Sequence, residues 1–89
     1  MKKYFKSFWN ESTGDELTND WGNSTYYFES DKELNVLRQI QVFKNGKVLK
    51  YDKINNEDEY GFLTDQPLDI EELENCEVTE EQFNHIFFS

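Results

Sequence analysis

Asn45-Gly46 is the feature that most restricts how this chain can fold. It stands between two apolar-bearing runs, Val36 to Lys44 and Lys47 to Ile54. Asn and Gly both tolerate positive φ, so the pair is a strong signal for a β-hairpin closed by a type I′ turn. A two-residue turn sets Lys44 against Lys47, Phe43 against Val48, Val42 against Leu49 and Ile40 against Tyr51. Alternation then collects Ile40, Val42, Leu49 and Tyr51 on one face and Gln39, Gln41, Lys50 and Asp52 on the other. The first is the expected core face. The second is expected to be wet, with Phe43 and Val48 as its apolar tip. Arg38 shares the face of Ile40 and Val42, and is expected to pair with an acid at the sheet edge.

Two further strands are predicted upstream. Tyr4 to Trp9 is short and aromatic-rich, and Ser24 to Glu29 is rich in residues that favour strands. Asn10 to Asn23 between them is polar and glycine-bearing, a loop pattern in which Leu17 and Trp21 are the large apolar residues that can pin it. Downstream of the hairpin, Asn55 to Tyr60 reads as an acidic loop and Gly61-Phe62-Leu63 as a short extended segment. Leu68, Ile70 and Leu73 can form one face of a helical turn. Thr79-Glu80-Glu81-Gln82 has the pattern of a capping box, and Val78 with Phe83 that of a hydrophobic staple. Glu80 and Glu81 suit the first turn of a helix. Phe83, Ile86 and Phe87 then make an apolar stripe that docks on the sheet. The predicted fold class is α+β: a single domain over residues 1–89, with a small antiparallel sheet of about four strands and a C-terminal helix packed on it.

Eight Phe, five Tyr and two Trp in 89 residues are enough to build one core and argue against disorder. The single cysteine, Cys76, cannot form an internal disulfide. The basic start, Met1-Lys2-Lys3, is not followed by an unbroken apolar run, and no stretch reaches the length of a membrane span. The expected location is the cytoplasm.

The formal net charge is −10. All nine Lys and Arg lie at or before Lys53, whereas eleven of the nineteen acids lie in residues 55–89. Such a balance opposes binding to nucleic acid or to anionic membranes and favours a basic protein partner. No catalytic site is legible. His85 is the one histidine and has no spaced partner. Cys76 sits between Asn75 and Glu77, and a neighbouring carboxylate makes a thiol a poor nucleophile. One His and one Cys cannot form a structural zinc site. Glu57-Asp58-Glu59 and Glu71-Glu72-Glu74 lack the spacing of an EF-hand loop, and no phosphate-binding glycine loop occurs. The chain is therefore expected to be no enzyme and to need no cofactor or metal.

The candidate partner contacts are Glu57, Asp58, Glu59 and Tyr60 in the acidic loop, with Asp69, Glu71, Glu72 and Glu74 around the helical turn. Tyr60 and Phe62 are both candidate aromatic anchors; core packing is an equal reading for Tyr60 and the favoured one for Phe62. Several segments together resemble a family of small bacterial immunity proteins of polymorphic-toxin and contact-dependent growth-inhibition systems. They are Tyr26-Tyr27-Phe28-Glu29, Val36-Leu37-Arg38-Gln39-Ile40, Asn45-Gly46, Tyr51-Asp52, Gly61-Phe62-Leu63, Pro67-Leu68 and the final acidic helix with Phe83. The resemblance runs from about residue 24 to the end and carries over no catalytic residue. It implies an immunity protein that binds and neutralises a cognate toxin, often a nuclease. Two rival readings are an acidic mimic of nucleic acid and a non-catalytic subunit of a complex.

Overall fold

The Asn45-Gly46 hairpin is present, and its loop is one residue longer than a type I′ turn. In the computed structural model, which describes residues 2–9, 16, 19–64, 66–73 and 76–89, Phe43 N donates to Lys47 O at 2.9 Å and Gly46 N donates to Phe43 O at 2.9 Å. Gly46 takes φ +92°, while Asn45 keeps negative φ and accepts from Lys47 N through its side chain at 2.9 Å. This is a three-residue loop with a glycine bulge. The strands β3 (Val36–Phe43) and β4 (Val48–Tyr51) therefore pair as Gln39↔Tyr51, Ile40↔Lys50, Gln41↔Leu49 and Val42↔Val48.

That register overturns the expected division of faces. A slip of one residue moves a whole strand's side chains across the sheet. Leu49 and Tyr51 lie with Gln39, Gln41 and Phe43, not with Ile40 and Val42. The second face is covered as well: Gln39 and Gln41 are each only 6% exposed and Phe43 is buried. Val48 is exposed, but on the side of Val42.

Antiparallel pairing extends through β2 (Ser24–Ser30) to β1 (Lys3–Trp9), giving a four-stranded sheet in the order β1-β2-β3-β4. The outer edge of β1 is occupied in part. Val78 N donates to Tyr4 O at 3.0 Å and Lys6 N to Cys76 O at 2.8 Å. Residues 76–78 thus pair with β1, which shields that stretch of edge.

The first face carries the C-terminal helix. Tyr4, Ile40 and Phe83 form its buried centre, with Tyr27, Val42, Val78, Ile86 and Phe87 around them. Phe83, Ile86 and Phe87 belong to a helix, Glu80–Phe87, that follows a much shorter one, Ile70–Leu73; in chain order these are α2 and α1. The capping box forms as the sequence predicts: Gln82 N donates to Thr79 Oγ1 at 3.0 Å, and Thr79 N donates to Gln82 Oε1 at 3.0 Å. Val78 packs into the cluster around Phe83, completing the staple.

Arg38 is deeper in this face than its expected place at the sheet edge. Its Nε and Nη2 donate to the two carboxylate oxygens of Glu29 at 2.8 and 2.6 Å, and Nη2 donates to Asn84 Oδ1 at 2.8 Å. The guanidinium carbon stands 4.9 Å from the Phe83 ring centre and 4.8 Å from that of Phe87. A bidentate pair stacked against rings ties β2 and β3 to α2.

The second face is covered by Trp21 and by residues 55–64 and 66–73. Phe43, Leu49 and Tyr51 form its core, with Trp21 and Leu63 packed against them. Trp21 ends a short 3₁₀ turn, Asn19–Trp21, and meets Phe43 edge-on at 5.0 Å between ring centres. Leu17 lies outside the described residues. Among the described residues no helix is long and apolar enough to cross a membrane.

Candidate functional site

The acidic segment is folded against the sheet by a small hairpin of its own. Leu63 N donates to Asn56 O at 2.7 Å and Asp58 N to Gly61 O at 3.0 Å, and Glu57 and Phe62 form a bridge. Asp58 organises the turn. Its Oδ1 accepts from Tyr60 N at 2.8 Å, from Gly61 N at 3.1 Å and from the Tyr51 hydroxyl at 2.9 Å. Asp58 is exposed, yet one of its oxygens is fully committed to holding the loop.

Gln39 performs the matching task from the sheet. Its Nε2 donates to Phe62 O at 3.3 Å and its Oε1 accepts from Thr64 N at 3.1 Å. The carboxamide imitates a peptide unit and pairs with the backbone of residues 62–64. Gln41 Nε2 donates to Ser24 Oγ at 3.0 Å. These bonds are why two glutamines are tolerated under a covering segment.

Between this segment and the strands runs an open groove of about 580 Å³. Its floor is Tyr26, Phe28, Gln39, Gln41 and Tyr51, and Ser7 and Trp9 of β1 make one wall. Tyr60, Gly61 and Phe62 make another, and Pro67, Leu68, Asp69 and Leu73 close the far side. The rings of Tyr26 and Phe28 lie parallel, 5.6 Å apart with 6° between their planes. Trp9 is 47% exposed and Phe62 64% exposed. Phe62 is thus an exposed groove residue and not the core residue expected from the sequence. Tyr60 packs on Trp21, 5.1 Å between ring centres, while keeping about a third of its surface exposed.

The candidate contacts are divided with respect to this groove. Tyr60 and Asp69 line it directly. Glu57 and Glu59 are exposed on the hairpin beside it. Asp69 caps α1, accepting from Glu71 N at 3.0 Å, and both residues are exposed. Glu72 belongs to α1, and Glu74 lies outside the described residues. Among the described lining residues Asp69 is the one ionic side chain, with no Lys or Arg. Burial pushes the Tyr51 phenol well above its usual range, and the Asp58 hydrogen bond adds to this. The Glu59 charge raises the Tyr60 phenol. Both hydroxyls are therefore neutral donors at physiological pH.

Trp9, Tyr26, Phe28 and Gln41 were not among the residues singled out by the sequence. The pattern that points to the three aromatics is alternation along paired strands: Ser7 stands opposite Tyr26, Phe5 opposite Phe28 and Trp9 opposite Ser24, so Trp9, Tyr26 and Phe28 share one face. A smaller cavity of about 440 Å³ lies beside α2, lined by Lys6, Tyr27, Val78, Glu81, Gln82, His85 and Ile86. Cys76 is half-buried at the edge of β1, and His85 is exposed on α2. Among the described residues no three His, Cys, Asp or Glu side chains are grouped to hold a metal ion. No family model, curated protein or solved structure matches this chain.

Proposed function

We propose that the chain is an immunity protein, which binds a cognate bacterial toxin of basic charge, a nuclease, and neutralises it by occluding its active site or substrate groove. One observation carries this reading: exposed carboxylates at Glu57, Glu59, Asp69 and Glu71 border a groove with exposed aromatic walls. Charge of this sign speeds encounter with a basic surface, and partly exposed aromatics beside it supply anchors for affinity. The net charge of −10 extends the same field over the molecule.

The structure of the acidic turn favours this over a mimic of nucleic acid. A mimic needs carboxylates that project in an ordered row. Asp58, in the middle of Glu57-Asp58-Glu59, instead turns one oxygen onto Tyr51 and its own loop. Irregular charge around a groove suits a folded protein surface. The test is co-expression with the product of the adjacent upstream gene. Rescue from its toxicity, lost when Glu57, Glu59, Asp69 and Glu71 are neutralised together, supports the proposal. Rescue that survives those changes removes the acidic surface from the interface.

A further inference from the structure

We infer that the groove on the second face of the sheet seats an arginine side chain presented by the partner protein. This rests on the reading of the chain as a binder of a basic protein, and it names the group recognised. The groove is aromatic on its floor and two of its walls, through Tyr26, Phe28, Trp9, Tyr60 and Phe62. Ring faces attract cations, and a planar guanidinium also stacks on them. Tyr26 and Phe28 offer a pair of parallel rings for such stacking, 5.6 Å apart. Asp69 on the rim supplies the one charge among the described lining residues, and it is negative.

The neighbouring charges point the same way. Glu57, Glu59 and Glu71 are exposed on the two segments that border the groove. A phosphate-bearing ligand would meet carboxylates there, although the rings alone could stack a base. A second copy of this chain is disfavoured by its own charge of −10. Within this protein the Arg38 guanidinium already stands 4.8–4.9 Å from the ring centres of Phe87 and Phe83 while paired with a carboxylate, the arrangement proposed for the partner's arginine.

The experiment is a titration of the isotope-labelled full chain, followed by amide and indole NMR signals. The probe is a blocked Gly-Arg-Gly peptide, compared with peptides carrying lysine or citrulline in place of arginine. Citrulline keeps the shape and removes the charge. The expected result is saturable shifts at the Trp9 indole, the Gln39 and Gln41 carboxamides and the amides of residues 60–62, with a dissociation constant on the order of 1 mM. Citrulline is expected to bind about tenfold more weakly. Asp69→Asn keeps the helix cap and removes the charge, and is expected to weaken the arginine peptide about two- to fivefold.

Equal binding of citrulline or lysine overturns the inference. So do shifts confined to Glu57 and Glu59, an absence of shifts, or a short oligouridylate that occupies the groove in place of the arginine peptide. The toxin co-expression separates this failure from failure of the immunity reading. Rescue without arginine binding sinks the groove assignment alone, and arginine binding without rescue sinks the immunity reading alone.

Discussion

The Tyr51 hydroxyl donates to Asp58 Oδ1 at 2.9 Å, joining the last strand of the sheet to the turn that carries the acidic loop. The same oxygen accepts two backbone N–H groups of that turn, from Tyr60 and Gly61. One carboxylate therefore fixes the position of its neighbours, Glu57 and Glu59, relative to the groove.

Asp58 and Glu59 are adjacent acids with different tasks, and they should separate on mutation. Asp58→Ala leaves Tyr51 and two N–H groups without their acceptor and is expected to cost about 1–3 kcal/mol of stability. Glu59→Ala should change stability by less than about 0.5 kcal/mol and slow association with a basic partner at low salt. Urea denaturation and association kinetics measure the two effects. Equal stability of both variants would contradict this division.

Gly61 lies close under Tyr51: a Cβ there would stand 3.0 Å from the Tyr51 hydroxyl oxygen. Gly61→Ala should shift that hydroxyl by a few tenths of an ångström, strain its bond to Asp58 and cost up to about 1 kcal/mol. Gly46→Ala acts by another route. Space around Gly46 is open, but its φ of +92° is unfavourable for alanine, and the expected cost is about 1 kcal/mol. Near-ultraviolet circular dichroism should report the disturbance of Tyr51 in the first variant and leave it unchanged in the second.

The Glu29–Arg38 pair predicts an acid limit. Burial pushes the Glu29 carboxyl up, but hydrogen bonds from Arg38 and Tyr4 outweigh it, so the net shift is downward. A carboxyl held low in the folded state stabilises it above the ordinary Glu value, about 4.3, and that stability is lost as pH falls through the depressed value. Arg38→Ala should cost about 3 kcal/mol at neutral pH, because it strands a buried carboxylate. The penalty should shrink in acid, where Glu29 can protonate. Denaturation midpoints across this range measure it, and a penalty that does not vary with pH would contradict the account.

Tyr4 and Tyr51 set the alkaline limit. Burial raises both phenols, with further contributions from Glu29 and Glu80 at Tyr4 and from Asp58 at Tyr51. Because the folded state holds these protons more tightly than the unfolded chain, the stability they contribute is complete below about pH 10 and falls as pH rises beyond it. Tyrosinate absorbance should therefore show their ionisation coinciding with unfolding. Reversible ionisation of every tyrosine near pH 10 with the fold intact would contradict this.

Local signals in the sequence were informative where the structure is local. Thr79 to Gln82 closes its capping box with groups three residues apart, and Asn45-Gly46 does make the hairpin turn. The register was not legible, because it depends on whether Asn45 takes positive φ, and only Gly46 does. The covered second face was hidden for another reason. Gln39 and Gln41 read as solvent-facing residues in a period-two pattern. Their bonding partners, Phe62, Thr64 and Ser24, are 17–25 residues away and leave no local mark. At the candidate site, Tyr60 and Asp69 were legible as an aromatic and an acid in a charged segment. Trp9, Tyr26 and Phe28 were legible only as aromatics of two expected strands, since nothing in the strands alone tells which aromatic a later segment leaves open.

The most direct test of the central claim is the association rate of the purified chain with the product of the adjacent upstream gene, measured from low to high salt beside an assay of that product's toxicity. Tight binding that abolishes toxicity is expected, with an association rate that falls about tenfold to a thousandfold as salt screens the acidic surface. Absence of binding at every salt concentration, or binding that leaves the toxicity intact, would contradict it.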